Sequence, residues 1–369
     1  MKLMSLKKDN FNNFDKNFMK LAINLANNQK GLTGTNPSVG CVIANNNKII
    51  SFAATNKDGR PHAETIALKK NFKKNIGSTI YLTLEPCSHY GLTPPCTKAI
   101  IKSGIKKVNY SIEDIDVRTF NKSKRILNKN KIMTYSGLLK KEVKNLYKNY
   151  NYIKKNKFPY IIGKLACSSN FYILRNGKFL TNKHSRNISH LLRYKNQGIL
   201  TSYKTINTDN SKLTCRLNGL ENFSPIRLII DKDLKINMNS YLVNNSKKIN
   251  TFIFHNSKNF KKKKNLKKKG LKLIYLNTGI DGYFNLKKLF KKIYNLGIHT
   301  LLVECGKKLT HKLISKKLFN EFYLFKSNKN LYIKGKINVL NINKILNKNF
   351  KRKKYINTYL DKDKLIHYY

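Results

Sequence analysis

A chain of 369 residues that is 40% hydrophobic and 11% aromatic can build packed cores, which excludes wholesale disorder, and its length suits two domains. Lysine and arginine number 75 against 18 acidic residues, a net charge of +57, but the excess runs from Lys7-Lys8 to Lys351–Lys354 without gathering on one element. It therefore reads as solvated surface with a nonspecific affinity for polyanions, and no specific nucleic-acid partner is expected. No stretch reaches the roughly 18 apolar residues of a membrane span. The opening MKLMSLKKDNFNNFDKNF also lacks a secretory signal. The expectation is a soluble cytoplasmic protein with no membrane partner, a homo-oligomer being left open. Its six scattered cysteines are then reduced thiols.

In chain order, Phe14, Phe18, Leu21, Ala22 and Leu25 recur at helical steps. Gly40–Ile43 and Lys48–Ala53, separated by Asn45-Asn46-Asn47, read as a hairpin. A helix is predicted to start near Pro61, a strand to span Thr79–Leu84, a helix to run from Pro95-Cys96 toward Ser103, and a strand to follow at Lys107–Ser111. Leu138–Tyr147 reads as a closing helix and Asn149–Lys157 as a polar bridge. Beyond Pro159, strands are predicted at Tyr160–Ala166, Gly198–Thr201, Ile226–Ile230, Thr251–Phe254, Leu271–Leu276, Thr300–Val303 and Phe322–Phe325. Helices fit Lys183–Tyr194 and Leu286–Leu296, and the lysine run 261–269 reads as a solvated loop or helix face. Alternating strands and helices make both halves α/β, divided as 12–150 and 158–369.

Chemistry concentrates in the first half. Pro61-His62-Ala63-Glu64 is followed 25 residues after His62 by Pro86-Cys87, and nine positions later by Pro95-Cys96. One imidazole and two thiolates make a neutral three-ligand set for Zn2+, with a fourth position open to water, as a catalytic site requires. Glu64 stands two residues beyond His62, near enough to move protons without ligating. The order H-x-E, P-C, C is a known signature of zinc deaminases acting on nucleobases, although eight residues rather than two separate the cysteines here.

That longer spacing carries a resemblance. The run from Thr83-Leu84-Glu85-Pro86-Cys87 through Thr93-Pro94-Pro95-Cys96, with Asn36-Pro37-Ser38-Val39-Gly40-Cys41 upstream, resembles the bifunctional deaminase–reductase family of riboflavin biosynthesis. In the second half, Phe158-Pro159-Tyr160, Lys164-Leu165-Ala166, Leu180-Thr181, Leu191-Leu192-Arg193, Ile199–Asp209, Leu213–Arg216, Arg227–Asp231 and Glu304-Cys305-Gly306 resemble the family's reductase segments. The resemblance implies a cytidine-deaminase-like three-layer αβα domain followed by a dihydrofolate-reductase-like α/β domain. It further implies hydrolytic deamination of a small-molecule phosphoribosylamino-pyrimidine, then NADPH reduction of the ribosyl group to ribityl.

On the same footing, Ala166, Phe179, Thr181, Thr205, Asp209 and Gly306 are expected at the NADPH, and Asn36, Lys164, Arg193, Leu213, Arg216 and Glu304 at the substrates. The chain departs from the family pattern at Asn170-Phe171, where the family has Asp-Gly, at Leu92, where it has a basic residue, and at Asp114-Ile115-Asp116-Val117, where it has D-P-N-P. Three rival readings stand beside this one: a deaminase with a decayed second half, a zinc-fold nucleic-acid-binding protein, and an RNA base deaminase.

Overall fold

The computed structural model describes residues 11–173, 179–331, 337–356 and 360–369. The chain divides into two compact units, Met1–Asn156 and Lys157–Tyr369. The first opens with α1 (Asn13–Gln29), started by a capping box in which the Asn12 side chain accepts from Asp15 N at 2.8 Å and Asp15 accepts from Asn12 N at 3.0 Å. Its buried stripe is Phe18, Met19, Ala22 and Ala26, and Phe14, expected inside, is 48% exposed one turn ahead of Phe18. Strands β1 (Gly40–Asn45) and β2 (Lys48–Ala54) form the hairpin, with Asn46 and Asn47 taking the positive φ that its turn demands.

Then come α2 (Ala63–Lys70), β3 (Thr79–Leu84), α3 (Cys96–Lys102), β4 (Lys107–Ile112), α4 (Lys122–Lys129), β5 (Met133–Ser136), α5 (Lys140–Leu146) and α6 (Lys148–Asn156). The sheet order is β2-β1-β3-β4-β5, with β3, β4 and β5 parallel. Alternate residues of β1 serve opposite faces: Val42 and Ala44 pack with α1, Cys41 and Ile43 with Ala63 and Ala67 of α2. Gly40 has no room for a side chain, since a Cβ there would lie 1.8 Å from the Ala22 carbonyl. The segment read as a polar bridge is helix α6, which buries Ile153. Its polarity reflects a helix with one narrow contact, not an absent one.

The second unit contains β6 (Tyr160–Cys167), β7 (Tyr172–Ile173), α7 (Lys183–Tyr194), β8 (Gly198–Ser202), α8 (Tyr203–Asp209), β9 (Ile226–Ile230) and α9 (Tyr241–Asn244). It continues with β10 (Thr251–His255), α10 (Phe260–Lys268), β11 (Lys272–Tyr275), α11 (Leu286–Asn295), β12 (Thr300–Glu304), α12 (Lys307–Ser315) and β13 (Glu321–Lys326). It closes with β14 (Ile337–Asn338), α13 (Leu340–Asn349), β15 (Lys353–Tyr355) and β16 (Lys364–Tyr368). The large sheet runs β11-β10-β9-β8-β12-β6-β13-β16-β15, parallel as far as β13 and antiparallel beyond it. Strand β12 comes late in sequence yet lies between β8 and β6, so the carboxyl ends of these central strands meet where the chain order switches. Open α/β sheets bind ligands at such a point. The lysine run is helix α10, anchored by buried Leu266 with its lysines outward.

Candidate active sites

His62 caps α2 with extended backbone, Cys87 follows the end of β3, and Cys96 is the first residue of α3. His62 Nδ1 lies 3.3 Å from Cys96 Sγ and 3.7 Å from Cys87 Sγ, and the three donor atoms fall within 4.8 Å of one another. Ligands around one tetrahedral zinc, with metal–sulfur and metal–nitrogen bonds near 2.3 and 2.0 Å, stand about 3.5–3.8 Å apart. The residues present therefore fit the ion. The Cys96 thiol, the His62 ring and the Cys96 backbone N–H, at 3.2 Å, outweigh burial and hold the Cys87 thiol down at about 4.

Glu64, in the first turn of α2, is 3% exposed, and its Oε2 has no partner among the described residues. Burial first, then the neighbouring Cys87, pushes its carboxyl above the ordinary range. A buried carboxylate oxygen with nothing to bond to is costly unless a ligand completes it. His62, Glu64 and Cys87 border a cavity of about 350 Å³, whose wall also includes Asn36, Arg60, His89, Asp116, Arg118, Tyr150 and Lys154. Asn36 is fixed by donating to Gly59 O at 2.9 Å. Gly59 takes φ +89°, and a Cβ there would crowd the Asn36 amide at 2.6 Å.

Arg60, Arg118 and Lys154 went unnoticed in the sequence. Arg118 sits bidentately on Asp116, at 2.9 and 2.7 Å, and Lys154 of α6 reaches the same carboxylate at 3.4 Å. Asp116, in the departed D-P-N-P loop, thus gathers two cations at the cavity wall, and Leu92 is 89% exposed. Glu85 is structural. Its carboxylate accepts from the backbone N–H of Asp114, Asn121 and Ser123, at 3.3, 3.1 and 3.1 Å, capping α4 where Asn121 makes no side-chain cap.

In the second unit a cavity of about 510 Å³ brings together Lys164, Ala166, Phe179, Thr181, Arg193, Asp209, Leu213 and Arg216. Thr205, Glu304 and Gly306 are not on its wall. Thr205 lies in α8, and Gly306 caps α12 with open space where a Cβ would stand. Glu304 ends β12 in register with Lys164 and accepts Arg193 Nε at 2.8 Å and Nη2 at 2.9 Å, with Lys164 Nζ at 3.8 Å. Burial alone would raise its carboxyl, but Arg193 and Lys164 overcome that and hold it at about 2. Lys164 is lowered as well, below the usual lysine range, through burial first and with Arg193 adding to it against Glu304, so that its charge is disfavoured where that of Glu304 is favoured. The anion gains and this cation loses because two buried cations share one carboxylate. The group carries one uncompensated positive charge.

Phe171 occupies the left-handed region at φ +63°, a conformation that favours glycine. Its ring packs on the hydrophobic core beneath Lys326, at 4.2 Å, and is not part of the cavity wall. Asn170 ties its loop to Leu331, accepting from its N–H and donating to its carbonyl, both at 3.1 Å. The bulky ring therefore packs beside the cavity instead of filling it. Arg186, which with Ser185 resembles the family's helix entry after Leu180-Thr181, also lines the wall, as does His190, which the sequence did not single out.

Residues 12–112 match the cytidine and deoxycytidylate deaminase zinc-binding region, and residues 168–329 match the RibD C-terminal domain. The chain is 35% identical over 320 residues to riboflavin biosynthesis protein RibD of Aquifex aeolicus (strain VF5), covering 84% of this chain and 86% of that protein. It is 32% identical over 324 residues to RibD of Buchnera aphidicola subsp. Baizongia pistaciae, covering 84% and 85%. Acinetobacter baumannii RibD, form 2, has the same fold, with a TM-score of 0.80 at 24% identity over 96% of this chain and 98% of that one. A diaminohydroxyphosphoribosylaminopyrimidine deaminase/5-amino-6-(5-phosphoribosylamino)uracil reductase of Thermotoga maritima superposes with a TM-score of 0.77 at 26% identity, over the same 96% and 98%. No helix among the described residues is long and apolar enough to cross a membrane. Matched along more than four fifths of its length by a protein of known family, the chain belongs to the RibD family of riboflavin biosynthesis proteins, a zinc-dependent deaminase joined to an NADPH-dependent reductase.

Proposed function

We propose that the first unit removes an amine from 2,5-diamino-6-(phosphoribosylamino)pyrimidin-4-one, and that the second reduces the ribosyl group of the resulting uracil to ribityl. The observation that carries this reading is the convergence of His62, Cys87 and Cys96 in one cluster, with His62, Cys87 and Glu64, whose Oε2 is unpartnered among the described residues, on the wall of one cavity. Zinc held by those three residues supplies a water acidified to near neutral pH. Glu64 takes one proton as water adds to the amine-bearing carbon and passes it to the ring nitrogen, then takes the remaining hydroxyl proton of the adduct and delivers it to the amine, which leaves as ammonia while C=O forms and the C–N bond breaks. Asn36 is placed to orient the pyrimidine. The coupled test is purified protein with the diaminopyrimidine substrate, with and without NADPH. Ammonia should appear in both arms and the ribityl product in one. Ammonia without reduced product under NADPH would favour the deaminase-only reading.

The substrate phosphate needs fixed cations, and position 92 offers none. Arg60, Arg118 and Lys154 supply them at the deaminase cavity, with Asp116 orienting the last two. Arg118→Ala is expected to raise KM for the phosphorylated substrate about tenfold, with kcat and zinc content kept. An unchanged KM would move the phosphate elsewhere.

In the second unit we assign NADPH to Ala166, Phe179, Thr181, Thr205, Asp209 and Gly306, and substrate to Lys164, Arg193, Leu213, Arg216 and Glu304. NADPH supplies a hydride when bound. Among the described residues Arg216 makes a single hydrogen bond, to Thr214 Oγ1 at 3.3 Å, and so has donors to spare for a phosphate. Arg193 commits three of its five N–H groups to Glu304 and Thr214 O and keeps two. The setting we propose is the cytoplasm, with no nucleic-acid partner. Binding to polyanions should collapse between about 50 and 200 mM salt without changing deamination, and a sequence-specific RNA complex that survived would contradict this.

A further inference from the structure

Five cations stand on the wall of the second cavity, together with hydroxyl and amide side chains and the Asp209 carboxylate. Lys164, Arg186, Arg193, Lys212 and Arg216 all border it, and none can accept a hydrogen bond. His190, on the inner face of α7, differs. It is 7% exposed, and its Nδ1 lies 3.1 Å from the Thr214 carbonyl, which also accepts from Arg193 Nη1 at 3.0 Å. A carbonyl offers only lone pairs, so the proton of the ring must sit on Nδ1. Burial first, then the charges of Arg193 and Arg216, holds the ring down at about 4, so it is neutral at physiological pH.

A neutral ring with its hydrogen fixed on Nδ1 has a lone pair on Nε2. That nitrogen has no hydrogen-bond partner among the described residues, and it is not among the atoms sealed away from solvent. It is a fixed acceptor set among cations.

Resting on the reductase reading above, we propose that Nε2 of His190 accepts a hydrogen bond from a hydroxyl of the sugar-phosphate substrate and so helps to select and orient the sugar. The division of labour follows from chemistry: phosphate oxygens accept from the arginines and lysines, whereas a hydroxyl hydrogen needs an acceptor that will not repel the phosphate. A carboxylate in this place would oppose the anion. A neutral imidazole does not.

Two substitutions separate the ring's two nitrogens. His190→Asn keeps a donor at the Nδ1 position for Thr214 O and removes the acceptor. His190→Gln places an amide oxygen near the Nε2 position. The expected result is a KM for the deaminated intermediate raised at least about tenfold in the Asn variant, with melting temperature and NADPH affinity retained, and within about threefold of the parent in the Gln variant. A parental KM in the Asn variant overturns the inference. So does equal impairment of both variants with early melting, which would make His190 a packing residue. Absence of reduction by the unaltered enzyme overturns the reductase reading itself, and this inference with it.

Discussion

Cys87→Ser and Cys96→Ser are each expected to lose zinc and ammonia release together, whereas Glu64→Gln should keep the metal and lose deamination at least about a hundredfold. The contrast follows from where the atoms lie. The cysteine sulfurs stand 3.7 and 3.3 Å from the His62 nitrogen, so removing either leaves two donors for an ion that needs three from the protein. Glu64 has an unpartnered Oε2 beside the cavity and contributes no ligand to the cluster. The Gln variant should melt no lower than the parent, since a desolvated carboxylate gives way to a neutral amide of the same shape. Elemental analysis of the variants reads the metal, and ammonia release reads the chemistry. Full zinc in both Ser variants would refute the ligand assignment. Near-normal turnover by the Gln variant would show that another group moves the protons.

The zinc cluster was legible because its residues lie at the ends of elements whose periodicity is plain. Thr79–Leu84 is a strand of apolar and β-branched residues, and the prolines before His62, Cys87 and Cys96 mark the turns around it. Arg118, Tyr150 and Lys154 were not legible as cavity residues. Arg118 lies in the connection after β4, while Tyr150 and Lys154 stand on α6 beyond the last strand of the sheet, and α6 shows no apolar stripe because Ile153 is its one buried residue. The closing strands β15 and β16 escaped for a related reason. Lys353 and Lys354 occupy exposed positions of the edge strand β15, and β16 beside it opens on exposed Lys364, so the alternation that marks a half-buried strand is blurred. Phe171 shows the opposite case. Its departure from glycine was visible, but its consequence depended on whether the ring turned toward the core or the cavity, which neighbours distant in sequence decide.

The largest effect expected in the second unit is at Glu304. Its carboxylate compensates Arg193 through two bonds and Lys164 at 3.8 Å, all three side chains being at most 15% exposed. Glu304→Ala leaves two cations facing each other with little solvent, a change that costs about 3–5 kcal/mol where one partner of a buried pair is removed. Reduction should fall at least about a hundredfold and the second unit should melt early, while ammonia release persists. The pH dependence has a definite sign. A carboxyl held at about 2, below its ordinary 4.5, contributes stability that is full above pH 4.5 and is lost as pH falls through 4.5 toward 2. The parent protein should therefore show an acid transition in that window, and the Ala variant should lack the corresponding increment. Arg216→Ala provides the contrast, because Arg216 makes one weak bond and its loss should raise KM with melting unchanged. A Glu304→Ala protein that reduced the intermediate at the parental rate would refute the ion group as part of the reductase site. Early melting of the Arg216 variant would instead make that arginine a prop for the loop around Thr214.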